Sequence, residues 1–71
     1  MIERNQPRYH NIHDYPIMLT AEDVAEILCI SRTNAYAVMR MSGFPTIHRG
    51  KRMVVPRDRL IKWIDEQLGA N

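Results

Sequence analysis

LTAEDVAEILCISRTNAYAVMR, residues 19–40, carries two helix-start signals eleven residues apart, Thr20 and Ser31. Thr20 is a good N-cap, and Glu22 and Asp23 follow it in the first turn, where the helix dipole favours anions. Val24, Ile27 and Leu28 fall at helical spacing and form one apolar stripe, which predicts a helix over residues 21–28. Two turns are too few to persist without packing partners. Cys29 and Ile30 interrupt the pattern, and Ser31 then caps a second helix, predicted over residues 32–41. Two short helices joined by about three residues have helix-turn-helix geometry.

The second helix has two unlike sides. Ala35, Val38 and Met39 face the first helix, whereas Arg32, Thr33, Asn34, Ala37 and Arg40 fall on the other side. The bland reading is an amphipathic helix closing a small core. The sharper one is a helix facing a nucleic-acid groove. Arginine pairs with guanine, asparagine pairs with adenine, and small residues let the backbone approach. Hydroxyls and a helix N-terminus hold phosphates. Tyr36 stands at the edge of the apolar stripe, open either to a phosphate contact or to the core.

Downstream, Gly43 and Pro45 in SGFP stop the helix. TIHRGKRMVVP then reads as a hairpin, with strands over residues 46–48 and 52–55 and RGK as the turn. His48, Arg49, Lys51 and Arg52 surround its tip. A small basic hairpin with glycine at the tip suits a wing lying along a DNA backbone or minor groove. The alternative is a solvated hairpin whose charges discourage strand addition. PRDRLIKWIDEQL is a third helix with Pro56 at its start. Ile61 and Leu68 share one side of it, and Leu60, Trp63 and Ile64 another. Either one group closes the core and the other stays partly exposed, or all five pack within the domain.

Charge is unevenly placed. Arg4 and Arg8 against Glu3, Asp14, Glu22, Asp23 and Glu26 leave residues 1–30 at −3. Arg32, Arg40, Arg49, Lys51, Arg52, Arg57, Arg59 and Lys62 against Asp58 alone bring residues 31–62 to +7, and Asp65 and Glu66 bring the end to −2. A central basic block is a localised field that attracts polyanions, or else an ordinary solvated face.

A chain of 71 residues holds one small domain and has little material to wall off a deep pocket, which favours a surface binder over an enzyme. Apolar residues make up 45% of it, enough for a core. No stretch approaches the roughly 18 apolar residues of a membrane span. MIERNQPRYH lacks the apolar core of a signal peptide. The single Cys29 excludes an internal disulfide framework. A cytoplasmic protein with no membrane partner is therefore expected. Residues 1–17 show no sustained period and are expected to form a flexible tail, with a docking point near Tyr15 and Ile17, and residues 18–71 the domain. His10 and His13 are three apart but have no accompanying ligands, so no metal and no cofactor is expected. No carboxylate pair, nucleophile-base pair or phosphate loop marks a catalytic residue, so none is assigned and no enzyme is expected.

Taken in order, LTAEDVAEIL, the SR…AY start of the second helix, FP before the hairpin, the Gly50 turn and VPRDRLIKWI resemble the excisionase-type DNA-binding domain. That domain is a winged-helix relative of the DNA-binding head of MerR regulators. The resemblance covers residues 19–64. It implies an α+β fold: a small winged helix-turn-helix, with three helices and a two-stranded hairpin wing between the second and third helix. It also implies double-stranded DNA binding. Arg32, Thr33, Asn34, Tyr36 and Arg40 take the recognition-helix roles, and Arg49, Lys51 and Arg52, beside His48, take the wing roles. Cys29 stands where many relatives have glycine, and Ala37 where many carry arginine.

Stand-alone members of that family are commonly excisionases. They bind and bend DNA beside a tyrosine recombinase, the integrase, and promote excision of a mobile element. The resemblance thus implies a bacterial cytoplasmic protein whose partners are double-stranded DNA, an integrase and adjacent copies of itself on DNA. The alternative is a small phage- or element-encoded transcription regulator with the same domain. MerR-type regulators add a long dimerisation helix and an effector domain, and neither appears before Asn71, so that form is the weaker expectation.

Overall fold

The structure, a computed structural model, describes residues 11–69. Element order is β1 (Met18–Leu19), α1 (Ala21–Leu28), α2 (Arg32–Met39), β2 (Ile47–Arg49), β3 (Arg52–Pro56) and α3 (Arg57–Gly69), preceded by one 3₁₀ turn at Ile12–Asp14. None of the described helices is long and apolar enough to cross a membrane.

The caps read from sequence define α1 and α2. The Thr20 hydroxyl accepts from the Asp23 amide, and the Asp23 carboxylate accepts from the Thr20 amide, which makes a reciprocal capping box. The Ser31 hydroxyl accepts from the Asn34 amide at 3.1 Å. Between the helices Cys29 adopts the left-handed conformation at φ 58°, ψ 45°. Its amide donates to the Glu26 carbonyl and the Ile30 amide donates to the Ala25 carbonyl. This is a Schellman motif, the termination in which glycine is favoured, here carried by cysteine. The turn thus keeps the conformation glycine would take despite the side chain.

α2 ends at Met39, two residues earlier than its apolar pattern implies. The Thr46 hydroxyl takes over one of its last carbonyls, donating to Met39 O at 2.7 Å. The chain then turns through Gly43 at φ 90° into the hairpin.

The hairpin pairs Ile47 with Val54, His48 with Met53 and Arg49 with Arg52, leaving Gly50 and Lys51 as a two-residue loop. Positive φ confined to Gly50, at 62°, is the pattern of a type II′ turn, whose twist matches that of the strands. The expected two-stranded arrangement is incomplete. β1 joins the other side of β3, with Met18 opposite Pro56 and Leu19 opposite Val55, giving a three-stranded antiparallel sheet in the order β1-β3-β2. Two residues are too short a strand to leave an alternating pattern in the sequence. Pro56 closes β3 rather than opening α3.

The expected docking of the N-terminal segment near Tyr15 and Ile17 takes a definite form. The segment's first ten residues, with Arg4, Arg8 and His10, lie outside the described residues. Residues 11–17 pack on the domain. Tyr15 is 4% exposed and belongs to the core, and its hydroxyl donates to Glu26 Oε1 at 3.1 Å. The Arg57 side chain donates through Nη1 to the carbonyls of His13 and Tyr15, at 2.9 and 2.8 Å. The Arg57 amide donates to the Ile17 carbonyl at 2.7 Å.

Leu19, Val24, Met39, Val55 and Leu60 are the largest fully buried side chains and bring strands β1 and β3 and all three helices to one core. Trp63 is half-buried against the core and meets Phe44, on the loop after α2. Of the two readings of α3, the divided one holds. Leu60, Trp63 and Ile64 pack on the core, whereas Leu68 is 73% exposed.

Candidate nucleic-acid interface

α2 is oriented by two buried residues one turn apart, Ala35 and Met39. Burying them turns Arg32, Thr33, Asn34, Ala37 and Arg40 outward, and all five are exposed. Nothing but Ala37 and the short polar side chains separates the middle of this face from an approaching surface. Tyr36 satisfies neither simple reading. It is 40% exposed, and the Arg40 guanidinium carbon lies 5.7 Å from its ring centroid. The ring therefore supports Arg40 through a cation–π contact while its edge stays open.

The hairpin presents His48, Arg49, Lys51 and Arg52, all exposed. Arg49 and Arg52 are direct cross-strand partners. Like charges so placed oppose each other. Among the described residues no carboxylate lies within ion-pair distance of Arg40, Arg49, Lys51 or Arg52. A stretch of bare, mutually repelling cations is poorly arranged for stability and well arranged for an anionic partner.

α2 and the hairpin face each other across a concave cleft of about 500 Å³. From the residues expected at the site, the fold brings Tyr36, Arg40, His48, Lys51 and Arg52 to the walls of this cleft. Arg32, Thr33, Asn34 and Arg49 do not line it. The first three sit at the N-terminal end of α2, so the exposed polar face extends beyond the cleft.

Some residues enter the site that the sequence did not single out. Thr20 and Ala21, at the start of α1, line the cleft, as do Met53 and Val54 of β3. Thr20 was legible only as a cap. The converse holds for Arg57, one of the cations of the central basic block. Its side chain is only 20% exposed and is committed to the carbonyls of His13 and Tyr15. It contributes to the fold rather than to the exposed field.

The described residues contain no cluster of three or more side chains able to hold a metal ion. What the arrangement offers is a surface: a helix with an arginine at each end, Arg32 beside Thr33 and Asn34 at the start and Arg40 at the C-cap, and a cationic hairpin beside it. No characterised protein and no solved structure gives a significant match to the chain. Residues 18–68, most of the chain and all six of its principal elements, match the pattern of a helix-turn-helix domain; the protein belongs to that family of small domains, which are found in excisionase-like proteins and bind double-stranded DNA.

Proposed function

We propose that this protein is an excisionase: a sequence-specific, non-enzymatic DNA-binding protein that bends DNA beside a tyrosine recombinase and promotes excision of a mobile element in the bacterial cytoplasm. The observation that carries the reading is the shared cleft, with Tyr36 of α2 and Arg40 at its C-cap on one side and His48, Lys51 and Arg52 of the hairpin on the other. A helix that enters the major groove beside a cationic hairpin on the adjacent backbone needs that geometry. The resemblance of the ordered motifs to excisionase-type, MerR-like domains supports the finer assignment. Adjacent copies bind neighbouring sites and cooperate there.

In this reading Arg32 and Asn34 read base edges. Arg40 stands at the far end of the same face, where a base or a phosphate is in reach. Lys51 grips phosphates. With roughly four to six phosphate contacts, the log–log slope of affinity against salt is expected to be about −4 to −5. A salt-independent affinity would rule out the DNA interface. Arg32→Ala is expected to cost about 1–3 kcal/mol on the specific site and to relax sequence preference. Lys51→Ala is expected to weaken specific and random duplexes alike and to reduce the slope by about one. The excisionase role is tested by adding the protein to an integrase and its attachment-site DNA. Excision that is stimulated by wild type and lost in both variants is expected. Tight DNA binding without stimulated excision would move the assignment to a small element-encoded transcription regulator.

A further inference from the structure

Among the described residues, Arg32 differs from the other exposed cations of the interface in having a carboxylate partner. Its Nη2 donates to Glu22 Oε2, on α1, at 3.1 Å, with the two side chains 66% and 61% exposed. Glu22 lies in the first turn of α1, where the helix dipole stabilises a carboxylate whether or not Arg32 is engaged. Arg40, Arg49, Lys51 and Arg52 carry no such pair among the described residues. Among the described residues, a carboxylate therefore stands beside the arginine at the N-terminal end of α2 and beside none of the cations around the cleft.

We propose that Glu22 is a specificity-determining positioning residue, which orients Arg32 for base reading and prevents it from serving as a general phosphate anchor. The assignment rests on the DNA-reading role proposed above for α2. Its logic is the contrast between a phosphate and a base edge. A guanidinium has five donors in a rigid fork, and one donor given to Glu22 leaves the others for a second acceptor. A guanine edge offers neutral acceptor atoms and meets the oriented fork at little electrostatic cost. A phosphate carries a full charge and meets the carboxylate as well as the guanidinium, so the two largely cancel. Glu22 thus acts against the wrong ligand more than in favour of the right one. The bare cations elsewhere supply the sequence-independent attraction.

The test uses the full chain. Wild type first selects a duplex from a randomised pool. Wild type, Glu22→Gln, Arg32→Ala and the double variant are then titrated with that duplex and with random duplex across a range of salt. Glu22→Gln is expected to bind random duplex about three- to fivefold tighter and the selected duplex about as before, so the specificity ratio falls by the same factor. Its salt slope on random duplex is expected to steepen by about one, as Arg32 becomes a phosphate contact. In the Arg32→Ala background the same substitution is expected to leave the ratio unchanged. An equal gain on both duplexes, or a fall in ratio that persists without Arg32, would show that Glu22 is only a background charge and would overturn the assignment. If wild type enriches a sequence but Glu22→Gln keeps the wild-type ratio, this assignment alone fails. If wild type enriches nothing, the sequence-reading role of α2 fails and takes the assignment with it.

Discussion

Phe44 and Trp63 meet edge to face, with ring centroids 4.8 Å apart and planes at 69°. Phe44 lies on the loop that leaves α2, and Trp63 is in the middle of α3, so this contact ties the end of α2 to the helix that closes the core. Edge-to-face pairs contribute about 0.5–1.5 kcal/mol beyond the area they bury. Trp63→Ala is expected to cost about 2–3 kcal/mol, at or below the usual range for a buried tryptophan because the ring is half-exposed. Phe44→Ala should cost a comparable amount. The double variant should lose about 1 kcal/mol less than the two singles combined. Urea unfolding of the four proteins checks the pair, and strict additivity would show that the rings stabilise the domain independently.

Arg57 holds the segment before β1 through two charge-assisted hydrogen bonds to the carbonyls of His13 and Tyr15. Arg57→Met keeps most of the stem and removes the donors. It is expected to lower stability by about 1.5–3 kcal/mol and to speed exchange of the amides around Tyr15. Tyr15→Phe, which keeps the buried ring and removes the hydroxyl that donates to Glu26, should cost about 1 kcal/mol. Unchanged exchange in Arg57→Met would mean that burial of Tyr15 alone anchors the segment.

Cys29 holds a left-handed conformation that costs a side-chain-bearing residue roughly 1–2 kcal/mol. Glycine removes that strain but makes the unfolded chain more flexible, which offsets part of the gain. Cys29→Gly is therefore expected to stabilise the domain by about 0.5–1 kcal/mol and to raise its thermal midpoint by a few degrees. Cys29→Val, branched at Cβ, should lower it. A midpoint lowered by glycine would show that the Cys29 side chain makes a contact worth more than the strain.

Arg49 and Arg52 oppose each other across the hairpin. Replacing Arg49 with threonine removes the repulsion and adds strand propensity, so stability should rise by about 0.5 kcal/mol. Duplex binding should weaken at the same time, with the salt slope smaller by about one. A variant that gains stability without losing affinity would place Arg49 outside the DNA contact surface.

Much of the architecture is legible in the sequence. Thr20, Ser31, Gly43 and Gly50 each act within a few residues of themselves, by capping a helix or permitting a positive φ, so the helices and the hairpin turn follow from short windows of sequence. The outward face of α2 followed from the 3.6-residue period once Ala35 and Met39 were assigned inward. The basic character of the hairpin needed only composition. Tertiary structure alone decided the rest. The third strand is two residues long and exists because Leu19 finds Val55. Tyr15 joins the core from outside the helices, and Arg57, 42 residues later, donates to its carbonyl. Trp63 finds Phe44, and Glu22 finds Arg32 from another helix, ten residues away. Periodicity and capping are properties of neighbouring residues, whereas these contacts join residues that only the packed core brings together.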